Sequence, residues 1–276
     1  MFPKRVYRPD VLAASNRTPQ RLPRGRHGLP RRFIVHNQRE RMLVAVAEAV
    51  AEQGYPTTTV ADIIARARLS RRTFYEHFAD KQECFLAAYD TVVEQMLRGI
   101  RHAYEHGGRR WTDRVHAGLR AFVSYLAAEP AFARMCIVEV VAAGPEARSR
   151  RDAAMRTFIE FLEPGREQAP RGVVVPPLAG EIVVGGIYEV IYARLLRDAA
   201  GDLTELLPEL LYCALVPYVG HRAAARAVRD AQARDAAAAA RLAADAQAEA
   251  PTAAAAGRDD ALVPGEEPPA DDPPAR

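Results

Sequence analysis

The sequence is poor in cysteine and lacks a long apolar run. Its 276 residues include only Cys84, Cys136 and Cys213, which lie far apart and outside any CxxC or Cys/His spacing. This excludes a disulfide framework and a zinc site, and it fits a reducing cytosol. No apolar run reaches the roughly 18 residues of a membrane helix, and the N-terminus lacks the apolar segment of a secretory signal. We therefore expect a cytoplasmic protein with no membrane partner.

Lysine is also nearly absent, since only Lys4 and Lys81 accompany the arginines among 38 basic residues. The net charge of +3 conceals a strong asymmetry along the chain. Residues 1–36 contain nine Lys or Arg against one acid, whereas residues 246–276 contain seven acids against two arginines. A basic end of this kind indicates a polyanionic partner.

Apolar periodicity divides the chain into a helical middle and two polar ends. Residues 1–32 are rich in Pro and Arg and are predicted to be a disordered basic arm. Helical spacing then continues to residue 221 with no credible strand, so the predicted fold class is all-α. Residues 222–276 are predicted to begin with an Ala-rich stretch that could form a solvent-exposed helix. An acidic, Pro-rich disordered tail follows it.

The most informative pattern is a pair of short helices within residues 33–82. Predicted helices at 60–66 and 71–78 are separated by Ala67–Ser70, which is the spacing of a helix-turn-helix. Apolar residues stand where the core of such a unit needs them: Val60, Ile63, Ile64, Leu69, Phe74 and Phe78. The opposite face of the second helix carries hydrogen-bonding side chains suited to base edges and phosphates.

The stretch GYPTTTVADIIARARLSRRTFYEHFADKQECFLAAY resembles the DNA-binding domain of TetR-family (tetracycline-repressor-like) transcriptional regulators. The resemblance is continuous over about 45 residues with the spacing intact. It implies an all-α homodimer with a three-helix DNA-binding domain, here residues 33–82. A larger helical domain for ligand binding and dimerisation, here residues 83–221, would follow.

The resemblance also assigns DNA contacts residue by residue. The positions that correspond to contacts with the DNA backbone are Thr59, Tyr75, His77 and Lys81. The recognition helix begins with Arg71, Arg72 and Thr73. Ser70 caps that helix, whose free N–H groups are suited to phosphate oxygens. Two departures stand out: Arg68 occupies a turn position that is usually Gly, and Glu76 either accepts from a cytosine amino group or pairs with Arg72.

The C-terminal half supplies candidates for a dimer seam and a ligand pocket. One helix with otherwise bulky side chains contains two adjacent glycines, and the next helix is rich in leucine. Such a pair is plausible in an intermolecular four-helix bundle, although contacts within one chain explain the glycines equally well. The predicted seam consists of Gly185, Gly186, Leu207, Leu210, Leu211 and Tyr218. The predicted apolar pocket consists of Trp111, Phe122, Tyr125, Met135, Phe158, Phe161, Tyr188 and Tyr192, each of which could equally be an ordinary core residue.

The sequence favours a DNA-binding regulator over an enzyme. It contains no Gly-rich phosphate loop, GxSxG or HExxH motif, and no nucleophile stands beside its histidines. No cofactor or metal is expected. We predict a dimeric repressor that binds a palindromic DNA operator and is released by a hydrophobic small molecule. The alternative is an all-α small-molecule-binding or interaction protein without regulatory DNA binding.

Overall fold

A computed structural model of the chain describes residues 31–172, 174–197 and 200–249. Residues 1–30 of the predicted basic arm and the acidic, Pro-rich end of the tail lie outside the described residues, and the last two residues of the predicted arm, Arg31 and Arg32, are helical. Within the described residues the chain is all-α, as predicted, and contains no strand. The helices are α1 Arg31–Gln53, α2 Val60–Ala67, α3 Arg71–Tyr75, α4 Lys81–His106, α5 Trp111–Ala128, α6 Pro130–Ile137, α7 Pro145–Leu162, α8 Ala179–Leu196 and α9 Leu207–Glu249. Short 3₁₀ segments at Glu139–Val141, Glu163–Gln168 and Ala200–Leu206 connect several of them.

Capping residues set the starts of α2 and α4. Thr59 and Asp62 form a reciprocal capping box at the N-terminus of α2. At α4, the Asp80 side chain accepts from the Glu83 amide at 2.8 Å. Each cap satisfies backbone N–H groups that have no partner inside the helix, which fixes where the helix begins.

Helix α3 is shorter than the periodicity predicted. It ends at Tyr75, not at residue 78, and a turn follows at Glu76 and His77. The amides of His77 and Phe78 still donate to the Phe74 carbonyl oxygen, each at 2.9 Å. Because Phe74 and Phe78 are both buried, the apolar spacing predicted the core positions correctly and the helix end wrongly.

Two apolar clusters form the core of the first unit, residues 1–233. The first joins α1–α3 to α4, α5 and α6 through residues such as Met42, Phe74 and Phe85. The second surrounds Trp111 and Tyr218 and includes Leu211 and Leu215 of α9. Helix α4 begins at Lys81 and therefore crosses the predicted domain boundary at residues 82 and 83.

Helix α9 is interrupted by Gly220, whose φ of 76° and ψ of 165° are not helical. By length and mean hydropathy alone, a window within Ala200–Asp245 is apolar enough to cross a membrane. The apolar side chains of Leu211, Leu215 and Tyr218 in this part of the chain are buried in the second cluster. The remaining unit begins at Arg234, and its described residues are helical through Glu249.

Candidate nucleic-acid interface and ligand cavity

The turn between α2 and α3 is closed by backbone geometry and an arginine from α1. Arg68 has φ 51° and ψ 48°, in the left-handed region, and its amide donates to the carbonyls of Ala65 and Ile64. The Arg41 guanidinium donates to the Ala67 carbonyl oxygen and, at 3.2 Å, to that of Arg68. The turn therefore has the conformation that favours Gly, although Arg occupies it.

Helix α3 buries one face and exposes the other. Phe74 is buried in the core, whereas Arg71, Arg72 and Tyr75 are exposed, Tyr75 by 52%. Ser70 caps the helix by accepting from the Thr73 amide at 3.0 Å. The five-residue helix thus presents two guanidinium groups and a phenol on a single accessible surface.

Three of the predicted DNA contacts, Thr59, Ser70 and Thr73, already have polar partners within the chain. The hydroxyl groups of Ser70 and Thr73 lie 2.9 Å apart. The Thr59 hydroxyl donates to the Asp62 carboxylate at 2.7 Å, and this bond is the main reason why the pKa of Asp62 is lowered. The structure therefore assigns Thr59 a capping role.

Glu76 and His77 also have neighbours within the chain. Arg72 donates to Glu76 at 3.1 Å, so the structure shows the intrahelical pairing that was one of the two alternatives for Glu76. The His77 ring lies 3.5 Å from Gln38 of α1. Burial, followed by the charge of Arg39, lowers the pKa of His77, which favours its neutral form at pH 7.

Lys81 fastens α4 to the α1–α2 loop. Its ammonium donates to the Tyr55 carbonyl oxygen at 2.8 Å and lies 4.2 Å from the centre of the Tyr55 ring. Burial lowers the pKa of the lysine. Sequence reasoning missed this internal role, because the lysine and the aromatic residue are 26 positions apart.

An apolar cavity of about 90 Å³ lies between α4, α5, α7, α8 and α9. Four of the eight predicted pocket residues line it: Phe122, Phe158, Phe161 and Tyr188. Sequence reasoning missed further lining residues, including Ile100, Tyr104, Gly118, Leu119, Met155, Val184 and Ile187. Small and aliphatic residues line cavities and solid cores alike, so only the helix packing distinguishes them.

The other four predicted pocket residues do not line the cavity. Trp111 is buried against Tyr218, with ring centres 5.3 Å apart, and donates to the Phe161 carbonyl oxygen at 3.2 Å. Tyr125 and Met135 are buried in the first apolar cluster. Tyr192 stacks on Tyr188, with ring centres 6.4 Å apart. Of these four residues, Trp111, Tyr125 and Met135 are buried and Tyr192 is half-buried.

Four of the six residues predicted for the dimer seam pack within their own chain. Leu207, Leu210, Leu211 and Tyr218 are buried within the chain itself. Gly185 and Gly186 differ, because a Cβ atom added at either glycine would meet nothing within 4 Å. The leucine stripe of α9 therefore faces the core of its own subunit, and the two glycines of α8 face open space.

A protein-family model matches the N-terminal part of the chain. Residues 43–88 match the family model "Bacterial regulatory proteins, tetR family". The chain carries a TetR-family DNA-binding domain. The matched residues cover α2 and α3 together with the C-terminal end of α1 and the N-terminal end of α4.

Two curated regulators share sequence with this chain. The HTH-type transcriptional activator FasR of Mycolicibacterium smegmatis is 28% identical over 120 residues, covering 42% of this chain and 53% of FasR. The HTH-type transcriptional regulator HbdR of Aromatoleum is 28% identical over 79 residues, covering 26% of this chain and 34% of HbdR. The chain thus spans about half or less of the length of these relatives.

Solved structures share the fold over more of the chain. The fatty acid degradation regulator FadR of Bacillus halodurans superposes with a TM-score of 0.58 at 20% identity, covering 64% of this chain and 94% of that protein. FadR of Bacillus subtilis, solved in complex with stearoyl-CoA, gives 0.56 at 18% identity, covering 64% and 97%. At this identity the likeness establishes the fold.

Proposed function

We propose that this protein is a sequence-specific DNA-binding transcriptional regulator, cytoplasmic and without enzymatic activity. The observation that carries the proposal is the exposed face of α3, where Arg71, Arg72 and Tyr75 stand opposite the buried Phe74. Arginine forks bind guanine edges bidentately, and a phenol donates to phosphate oxygens. Ser70, Thr73, His77 and Lys81 stay in the proposal as flanking contacts.

Selection from genomic DNA fragments with the purified protein tests this function. The wild type should enrich a palindromic site, and Tyr75→Ala should weaken binding to all sequences alike. Arg71→Ala should also relax base preference, since a good bidentate contact contributes roughly 1–3 kcal/mol of discrimination. Wild-type protein that enriches no site, from low to physiological salt, would leave a ligand-binding or interaction protein without regulatory DNA binding.

The active form is proposed to be a homodimer formed through the open face of α8. Ile182 is 68% exposed, and Gly185, Gly186 and Val190 follow it on the same side of the helix. A second copy seated there would cover an apolar strip that a single chain leaves in water. A two-fold pair would place two recognition helices about 34–36 Å apart, which matches successive major grooves.

Sedimentation of Ile182→Asp tests the dimer. A charge at the centre of the seam should convert the protein to monomers and abolish binding to a full palindrome. Leu242→Asp is the matched control, because Leu242 is a comparably apolar exposed residue outside α8. A dimer that survives Ile182→Asp would refute the seam.

The effector is proposed to be a hydrophobic small molecule whose apolar part enters the cavity. All the lining residues are uncharged and nearly all are apolar, so a buried charge on the ligand would have no partner. The stearoyl-CoA seen in the Bacillus subtilis structure makes that compound a direct first probe. An effector releases a repressor only if it binds the DNA-free arrangement better than the DNA-bound one.

Calorimetry with stearoyl-CoA, and with palmitate as a smaller probe, tests the cavity. Gly118→Leu should reduce binding, because a side chain at this position would grow into the cavity beside Tyr104 and Ile100. FasR is named an activator, so a promoter-fusion assay decides the sign of regulation. A promoter that falls silent when the protein is deleted would overturn the repressor assignment.

A further inference from the structure

A carboxylate from the C-terminal half of the chain holds the loop that leads into α2. The Tyr55 amide donates to Oε2 of Glu139 at 2.9 Å, across 84 residues of sequence. The Glu139 side chain is only 12% exposed, and a Cβ atom added at Gly54 would lie 3.5 Å from the same oxygen. The carboxylate therefore contacts the backbone four residues before Thr59, the cap of α2.

Glu139 is also tied to the end of α8. The Arg134 guanidinium lies 4.0 Å from Oε1 of Glu139 and donates to the Leu195 carbonyl oxygen at 3.3 Å. The partly buried guanidinium thus pairs its charge with the carboxylate and hydrogen-bonds the helix end. The 3₁₀ segment Glu139–Val141 is thus connected to α8 as well as to the α1–α2 loop.

A wall of the cavity reaches the same segment. Tyr188 of α8 lines the cavity, and its hydroxyl donates to the Ile137 carbonyl oxygen at 2.5 Å. Ile137 is the last residue of α6 and precedes Glu139 by two positions. A shift of Tyr188 would therefore move the backbone that carries the Glu139 carboxylate.

We propose that Glu139 is a positioning residue that links the cavity wall to the start of α2. Tyr188 fixes the position of the end of α6, which in turn fixes the position of the Glu139 carboxylate. The carboxylate then holds the Tyr55 amide and so positions the loop before the helix-turn-helix. The link rests on the proposed function only for its consequence, which is that occupancy of the cavity alters DNA affinity. The contacts themselves require neither ligand nor DNA.

Amide hydrogen exchange of the loop Gly54–Thr59 tests the link in the free protein. Glu139→Ala removes the acceptor and should raise exchange at Tyr55 about tenfold, whereas Glu139→Gln, whose amide oxygen still accepts, should restore most of the protection. Tyr188→Phe should raise loop exchange about threefold in the wild-type background and should add nothing in the Glu139→Ala background.

Two matched controls separate the link from general loosening of the fold. Tyr192→Phe removes a hydroxyl from the ring that stacks on Tyr188, and Glu129→Gln neutralises the carboxylate at the other end of α6. Both should leave loop exchange unchanged. Loop exchange that ignores Tyr188→Phe, or that rises equally in the controls, overturns the proposal. The comparison of Tyr188→Phe with Tyr192→Phe still decides it if Glu139→Ala does not fold.

DNA binding supplies the second readout. On the site recovered by fragment selection, Tyr188→Phe and Glu139→Ala should each change the operator Kd several-fold, and the double variant should match the Glu139→Ala variant. Additive effects of the two substitutions overturn the link. Wild-type protein that binds no DNA refutes the proposed function alone, because the exchange experiment still measures the link.

Discussion

Replacing Arg68 with Gly should stabilise the protein. Arg68 is the one non-Gly residue with positive φ among the described residues, at φ 51° and ψ 48°. An L-residue in this region costs about 1–2 kcal/mol. Gly removes that strain but loses about 0.5–1 kcal/mol more backbone entropy on folding. The Arg68 side chain is exposed, and the bonds from Arg41 reach backbone carbonyls, so the substitution keeps them.

The expected net gain of the Arg68→Gly variant, taken from the midpoints of these two costs, is about 0.75 kcal/mol. In urea unfolding this corresponds to a rise of about 0.3 M in the midpoint, for an m-value near 2.5 kcal/mol/M. Arg68→Ala is the matched control, because it also removes the long side chain but keeps the left-handed strain. Equal midpoints for the Gly and Ala variants would show that the turn stores no strain and would refute the reasoning.

Three further predictions concern glycine packing and a helix cap. Gly165→Ala should destabilise the protein by about 1–3 kcal/mol and shift the emission of Trp111, because the new Cβ would lie 2.4 Å from that ring. The loss of stability is measured by thermal unfolding. Gly201→Ala is the control and should keep the Tm of the wild type, because Gly201 has open space around it. Gly118→Ala should raise the stability by about 0.5–1 kcal/mol in the same assay, since its Cβ meets Tyr104 at an ordinary 3.5 Å, and a lower Tm would contradict this. The lowered pKa of Asp62, held chiefly by the Thr59 side chain, stabilises the fold above the unfolded pKa near 3.9; this contribution should fade as pH falls through the folded pKa, and Asp62→Ala should flatten that part of the stability–pH curve.

Local chemistry made the DNA-binding half readable from the sequence. Caps, apolar spacing and a short turn act over three to eight residues, so Thr59, Asp80 and the buried Phe74 and Phe78 could be placed without any tertiary information. The end of α3 was misplaced by three residues, because the same apolar spacing suits a helix and a turn that buries Phe78. The left-handed turn at Arg68 was visible only as a departure from the resembled family.

The C-terminal half resisted prediction because its helices are apolar on most of their circumference. Periodicity then shows that a residue such as Leu211 is buried, and it does not show whether the partner surface belongs to the same chain or to a second copy. In the structure the leucines of α9 are buried within the chain and Ile182 of α8 is exposed.

Contacts between residues far apart in sequence decide which groups remain available for DNA. The family resemblance predicts that Lys81 contacts a DNA phosphate. In the structure its ammonium donates to the Tyr55 carbonyl oxygen and lies over the Tyr55 ring. The Tyr55 amide also donates to the Glu139 carboxylate from the other half of the chain, so Lys81 and Glu139 both contact one loop. A substitution at Lys81 would therefore change the position of α2 as well as any phosphate contact, and loss of DNA binding in such a variant would not by itself locate the lysine at the DNA. Tyr75 has no such double role among the hydrogen bonds of the described chain, which is why it, and not Lys81, is the residue on which the DNA-binding proposal should be tested.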